Sequence, residues 1–423
     1  MDRVAQIKQL VKDHLTQNEA SPFIPGITRI PLAVPSFGYE ETWEAIESLL
    51  TAELTMGKKV HRFERLFAEY VGVRHAIMVN SGSSANLLAL SILTNHSLER
   101  PLKPGDEVIT PAVTWATTVF PIINCGLVPV LVDVDLDTLD INPEEIEKAI
   151  SDKTRAIMPV HLLGNPCAMD TIMNIAKRHH LLVIEDACEA HGATWQGQKT
   201  GSFGDLATFS FFFSHHITTI EGGMVLTDND ELAELARALR VFGWVRDLKD
   251  KEEIAQKYPD MDPRYLFVTL GYNFRPTEIQ GAFGLHQIKK LDQFIQIRRE
   301  NAAFWTKNLG KYSDYLQLHE ERSQTQHVRL GYSVTVRHNA PFTRKDLVDF
   351  LENKGVETRP IMAGNIEEQP AMRMLPYRKV GELPNARLVH RNSFFFGNHI
   401  GIGAEEREAM VSYFDEFMAS WRE

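Results

Sequence analysis

Apolar and polar positions change period repeatedly along this chain. From about 36 to 285, the short β-rich runs "DEVITPA", "VPVLVDV", "RAIMPVHLLG", "LLVIEDAC", "ATFSFFF" and "GGMVLTD" predict strands. Between them, "SSANLLALSILT", "PEEIEKAIS" and "MDTIMNIAKRHH" carry helical spacing. The alternation predicts βαβ units, hence an α/β fold with a mostly parallel sheet sandwiched by helices. In such sheets ligands gather at the carboxyl ends of the strands. Residues 1–35 predict an amphipathic helix and then an extended arm, because "SPFIPGITRIPLAVPSFG" is rich in proline. After the charged, irregular "RDLKDKEEIAQKYPDMDPRY", a long helix is expected near 276–310. "GYSVTVRH", "TRKDLVDFLENKG" and "VETRPIM" then suggest a smaller α+β unit. The expected division is an N-terminal helix and arm over 1–35, a large domain over 36–285, and a connecting helix with a small C-terminal domain over 286–423.

Composition narrows the function. A chain of 423 residues with 43% hydrophobic positions can build a sizeable core. Its formal net charge of -11 argues against nonspecific attraction to nucleic-acid phosphates. The start, "MDRVAQIKQLVKDHL", has no apolar leader core, and no uncharged apolar run is long enough for a bilayer, so no membrane association and a cytoplasmic location are expected. Cys125, Cys167 and Cys188 are odd in number and far apart, which fits neither a disulfide framework nor a zinc site. They are expected to be reduced, mostly buried thiols, and no metal site is expected.

Three features at strand exits carry chemistry. "VNSGSSANLLAL" places Gly82 and Ser83 between a strand and a helix, where free N–H groups, hydroxyls and the helix dipole can cradle a phosphate. An ordinary N-cap by Ser83 or Ser84 is the alternative. "LLVIEDACEAHGA" ends a strand in Asp186, with Glu189 close behind. Such a carboxylate can hold a protonated pyridine nitrogen, or else cap a helix or ligate a metal. "TPAVTWATTV" puts Trp115 just past another strand, as a stacking platform or as core filling. Phosphate cup, aromatic platform and pyridine carboxylate are together the parts of a pyridoxal phosphate (PLP) site. The missing part is the lysine that would hold the aldehyde.

The chain resembles the sugar-modifying aminotransferase superfamily of fold type I PLP enzymes. The resemblance runs through "PSFGYEETWEAI", "SGSSAN", "VDVD", "SDKTRAIMPVHLLG", "IEDACEAHGA", "GSFGDLATFSFF" and "GYNFRPTEIQGAFGLHQI". In that superfamily the anchoring lysine lies five residues after the serine that ends a Ser-Phe strand. Here Ser210 is that serine, position 215 is His, and no lysine occurs between Lys199 and Lys249. A histidine there is similar to the 3-dehydratases of nucleotide-linked 4-keto-6-deoxyhexoses. One branch acts on GDP-4-keto-6-deoxymannose. The other, CDP-linked, carries a [2Fe–2S] cluster on cysteines after the histidine. No cysteine follows Cys188, so the resemblance implies the GDP-linked branch and no iron–sulfur cluster. "RPIMAGN" and "FFFGNHIGI" point the same way.

The resemblance further implies phosphate contacts from Gly82, Ser83 and Ser210, Asp186 on the pyridine nitrogen, Trp115 on the ring face, and Glu189 near the phenolic oxygen. Asn273 of "GYNFRP" would reach the phosphate from a neighbouring subunit, giving a homodimer with shared sites. Arg275, Arg359, Asn365 and His399 are candidate contacts for pyrophosphate or sugar, or else surface ion pairs and a capped turn. The aminated cofactor (PMP) would condense with the C4 ketone of the sugar. His215 would take a proton from the cofactor's methylene carbon and help the C3 hydroxyl depart. L-Glutamate would re-aminate the cofactor. His216 is read as packing against or orienting this base. Two other readings are a keto-sugar aminotransferase that tolerates Lys→His, and a noncatalytic scaffold, which would not need Asp186.

Overall fold

The computed structural model describes residues 2–16, 22–319 and 321–421. The helix Arg3–Thr16 buries none of its residues, and the 17–21 stretch of the expected helix and arm lies outside the described residues. From Pro22 to Pro35 the arm is largely irregular, with one bridge from Ile30 to Val356 in the C-terminal part.

The large sheet runs in the order His75–Val79, Gly223–Thr227, Leu206–Ser210, Leu182–Asp186, Thr154–Ile157, Glu107–Pro111, Val128–Val132 and Arg378–Lys379. Glu107–Pro111, Leu206–Ser210 and Gly223–Thr227 are buried at every position, as strands covered on both faces must be. All six strands expected from the apolar runs are present. Gly223–Thr227 pairs antiparallel with both of its neighbours, while the other pairings are parallel. The physical reason is the connection. Residues 211–222 contain no helix, so the chain turns back beside the strand it has just left, whereas a parallel return needs a crossover.

The single helix expected over 276–310 is instead two, Glu278–Gln287 and Leu291–Leu309. The first packs on Tyr39–Leu50 and Lys58–Val71, and the second carries Trp305 and Leu309 into a core shared with C-terminal residues. At the break, Lys290 Nζ donates to both Glu41 carboxylate oxygens at 2.7 and 2.9 Å, which pins the turn. The C-terminal part forms a four-stranded antiparallel sheet over a core that includes Trp305, Tyr332 and Phe396. It also returns to the large unit. Arg378–Lys379 joins the edge of the large sheet, and Ile361, Ile366 and Val389 share a core with Val113 and Leu131.

Candidate active site

His75–Val79, Leu182–Asp186 and Leu206–Ser210 point the same way, so their carboxyl ends form one edge. Val79 and Ser210 both lie opposite Gly223, which opens the reversed strand at that edge. The two sides approach so closely that a Cβ on Gly223 would fall 2.2 Å from the Ser81 carbonyl oxygen. At Gly82 a Cβ would fall 2.4 Å from Ser210 Cβ. Gly82 and Ser210 thus face each other at the start of the helix Gly82–Leu93, with its free N–H groups between strand ends. The cap of that helix is Ser81, whose hydroxyl oxygen accepts from Ser84 N at 3.1 Å, rather than Ser83 or Ser84. Ser83 is exposed and uncommitted to capping. Gly82→Ala should overpack this cradle by about 1–3 kcal/mol. Both the melting temperature and PLP affinity should fall, as read by thermal shift with and without the cofactor.

Asp186 is 5% exposed. Its Oδ2 accepts from Asn86 Nδ2 at 2.9 Å and from the Thr118 hydroxyl at 2.8 Å, and its Oδ1 accepts from Cys188 N at 3.2 Å. Asn86 is itself fixed, because its Oδ1 accepts from Thr208 Oγ1 and its Nδ2 also donates to the Thr117 carbonyl. A carboxylate oriented by two side-chain donors on one oxygen, with a single backbone donor on the other, is prepared to accept a further proton donor, as a pyridinium nitrogen requires. The cap and metal alternatives lack support here. No helix follows Asp186, and no group of three His, Cys, Asp or Glu among the described residues has metal-binding geometry. Trp115, 55% exposed at the start of Ala116–Asn124, is not core filling. Its indole is free to cover a flat ligand at the sheet edge.

Glu189 accepts from Leu163 N at 2.6 Å. Burial, followed by the charge of Asp186, pushes its carboxyl up to about 8 against that hydrogen bond. It is therefore largely protonated at neutral pH and can donate.

His215 lies on the turn 211–222, with its backbone N–H donating to the Phe212 carbonyl at 3.0 Å. Its Nδ1 is buried and has no hydrogen-bond partner among the described residues. Burial, and then the Arg298 guanidinium, pushes the ring down to about 4. The imidazole is thus neutral at physiological pH, the form a general base needs. His216 is fully buried and donates from Nε2 to the Val328 carbonyl at 2.9 Å. It locks the turn.

His319 and His399 are likewise pushed down to about 4 by burial, and His191, His216 and His327 are also held low. An unfolded histidine binds its proton near 6.5, so between about 6.5 and 4 the unfolded chain binds more protons than the folded one. Stability present above that window is lost as pH falls through it. The melting temperature should drop steeply from pH 6.5 to 4, and a flat profile in a pH-resolved thermal scan would contradict this burial of neutral imidazoles.

The remaining candidates are spread out. Asn273 is exposed and accepts from Arg275 Nε at 2.9 Å, while Arg275 lies over the Phe242 ring. Arg359 pairs with Glu357 at 2.6 Å on the surface. Asn365 is fully buried, caps a short turn by accepting from Glu367 N, and keeps an unpaired Nδ2. His399 uses one nitrogen on the Pro31 carbonyl and the other on Gly401 N, so it ties down the arm. The sequence reading did not single out Asn86, Thr118, His191 or Arg298. Asn86 had a signal, a polar residue one turn into an apolar helix; Arg298 had none short of the fold.

Known proteins share this fold. The sequence pattern of the DegT/DnrJ/EryC1/StrS aminotransferase family matches residues 36–414. GDP-4-keto-6-deoxy-D-mannose 3-dehydratase of Yersinia pseudotuberculosis is 39% identical, over 87% of this chain and 94% of that protein. The Escherichia coli GDP-4-keto-6-deoxy-D-mannose-3-dehydratase, solved with bound hydrated PLP, superposes with a TM-score of 0.85 at 36% identity, covering 91% of this chain and 98% of that one. A further structure of such a dehydratase, with PLP and glutamate trapped as a geminal diamine, gives a TM-score of 0.84 at 36% identity, over 91% and 99% of the two chains. With the glycine cradle, the oriented Asp186 and a match across nearly its whole length, this chain belongs to the DegT/DnrJ/EryC1/StrS aminotransferase family.

Proposed function

We propose that this protein is a PLP-dependent 3-dehydratase that removes the C3 hydroxyl of a nucleotide-linked 4-keto-6-deoxyhexose, with GDP-4-keto-6-deoxymannose as the substrate. The observation that carries this is His215 where the superfamily keeps its lysine. A lysine would compete with substrate for the cofactor aldehyde. An imidazole cannot form that bond and is free to move a proton.

The residues fit the group. Gly82, Ser83 and Ser210 would hold its phosphate, Asp186 its pyridine nitrogen, Trp115 its face, and Glu189 its phenolic oxygen. When bound in its aminated form, the cofactor supplies an amine that condenses with the C4 ketone and a ring that takes up the electrons of the broken C–H bond. His215 accepts that proton at Nε2 and returns it to the departing C3 hydroxyl, which leaves as water. Asp186 keeps the pyridine nitrogen protonated throughout. The glutamate held in a solved relative supports L-glutamate as the amine source.

Asn273 and Arg275 would act on a partner subunit's phosphate and substrate, in a homodimer with shared sites. Exposed Phe242, beneath the Arg275 guanidinium, and Leu270, three residues before Asn273, put apolar surface beside these two residues. Arg359, Asn365 and His399 would shape the sugar-nucleotide side, Asn365 through its unpaired amide. The three unpaired cysteines and a nucleotide-linked substrate suit the cytoplasm. No helix among the described residues is long and apolar enough to cross a membrane.

The test is a mass spectrum of product from GDP-, CDP- and dTDP-linked 4-keto-6-deoxyhexoses with PLP and glutamate. A 3-deoxy-4-keto product from the GDP sugar is expected, without any NADH-linked reductase. An amino sugar would establish a transaminase instead, and an iron requirement would overturn the cluster-free assignment.

A further inference from the structure

His191 is the least explained side chain near the site. It is fully buried, packed among Phe67, Phe209 and Phe211 with ring centroids 5.3 to 6.3 Å away. Neither of its nitrogens has a hydrogen-bond partner among the described residues, and burial holds the ring below its ordinary value. In a pocket that Leu or Phe could fill, ring nitrogens left without partners are costly to bury. An aromatic slot alone does not account for an imidazole here.

The surroundings supply a reason. The His191 ring lies 5.9 Å from that of His215, centroid to centroid, and the Nδ1 of His215 is also buried without a partner. His215 must keep Nε2 bare to accept a proton, which requires its own hydrogen on Nδ1. An isolated imidazole prefers the opposite tautomer, so something must hold Nδ1–H in place. In hydrolases a carboxylate does this. Here the titratable groups acting on His215 are His191 from the turn after Leu182–Asp186, the adjacent His216 of its own turn, and Arg298 from Leu291–Leu309. Arg298 is a cation that donates to the Leu330 and Asn398 carbonyls. The Nε2 of His216 is spent on Val328, and among the described residues no anion acts on His215. A neutral His191 carries one hydrogen and one lone pair, and neither of its nitrogens is engaged among the described residues.

We infer that His191 is a positioning residue, the hydrogen-bond acceptor for Nδ1–H of His215. A turn of the His191 ring about its soft terminal torsion, together with a sub-ångström approach of the two rings, would bring its bare nitrogen to Nδ1. His191 thereby fixes the tautomer that leaves Nε2 open, and takes a stronger hydrogen bond when His215 becomes an imidazolium. It neither gains nor loses a proton. This rests on His215 being the base.

The experiment compares His191→Leu, His191→Gln and His215→Asn in the full-length protein. With histidine labelled by nitrogen-15, NMR near pH 7.5 without substrate reads the His215 tautomer directly. Wild type should show Nδ1–H with bare Nε2. His191→Leu should lose that preference and lower kcat about tenfold or more, with KM unchanged, as expected when a hydrogen bond to a charged group is lost. His191→Gln keeps an acceptor oxygen and should restore both. An unchanged tautomer in His191→Leu would overturn the inference, whether or not activity falls, because packing damage alone does not move a proton between nitrogens. If His215→Asn retained dehydration, the assignment of the base would fail instead, separately from the fate of His191.

Discussion

His215→Asn should bind PLP and PMP as wild type does, yet lose dehydration by about 10²–10⁴-fold, the span for removing a general base. The expectation follows from the position of the ring at the strand edge and from its neutrality. Burial and Arg298 hold it down to about 4, so at pH 7 it is nearly all in the basic form. His215→Lys separates loss of the base from gain of an anchor. The lysine should attach the cofactor covalently, so that borohydride reduction fixes PLP to residue 215 in a mass spectrum, while wild type fixes none. Dehydration should fall with it, since the anchor competes with substrate. His216→Asn should cost stability more than turnover, because that ring only donates to the Val328 carbonyl. If His216→Asn abolished dehydration while His215→Asn left it intact, the proton-transfer role would belong to His216.

Replacing the carboxylate of Asp186 should be nearly as severe. Asp186→Asn preserves shape but removes the charge that keeps a pyridine nitrogen protonated, and its amide would meet the Asn86 and Thr118 donors directed at the same oxygen. A hydrogen bond to a charged partner is worth about 1.5–3 kcal/mol, roughly 10- to 150-fold in binding or rate. Cofactor affinity and kcat should both fall by that order. Asn86→Leu should reproduce a smaller part of the loss by releasing Asp186 from its orientation. If Asp186→Asn retained full activity and PLP affinity, the pyridine nitrogen would have to be held by another group. Equilibrium titration of PLP absorbance, beside single-turnover rates, distinguishes the two effects.

Local pattern was enough for the strands and for the chemistry at their ends. The buried runs at 107–111, 182–186 and 206–210 read as strands because side chains covered on both faces leave a continuous apolar stretch. Asp186 and Trp115 stood out as residues that break that stretch at its exit. The histidine at 215 could be noticed without coordinates, since its meaning lies in a spacing from Ser210.

Other features depended on segments far apart in the chain. The reversal of Gly223–Thr227 and the break at Ile288–Lys290 follow from what each segment packs against, and an apolar period carries no record of its partner. The cap at Ser81 rather than Ser83 or Ser84 depended on where the strand let the helix begin. Asn86, Thr118 and Asp186 meet only when helix and strand are stacked. His191 and Arg298 reach the His215 turn from separate elements. The sequence by itself determined which chemistry is present, because bond-making groups are local. The tertiary structure alone decided which nitrogen is buried, which carboxyl keeps its proton and which imidazole stays neutral, because burial and charge act through space across residues the chain holds far apart.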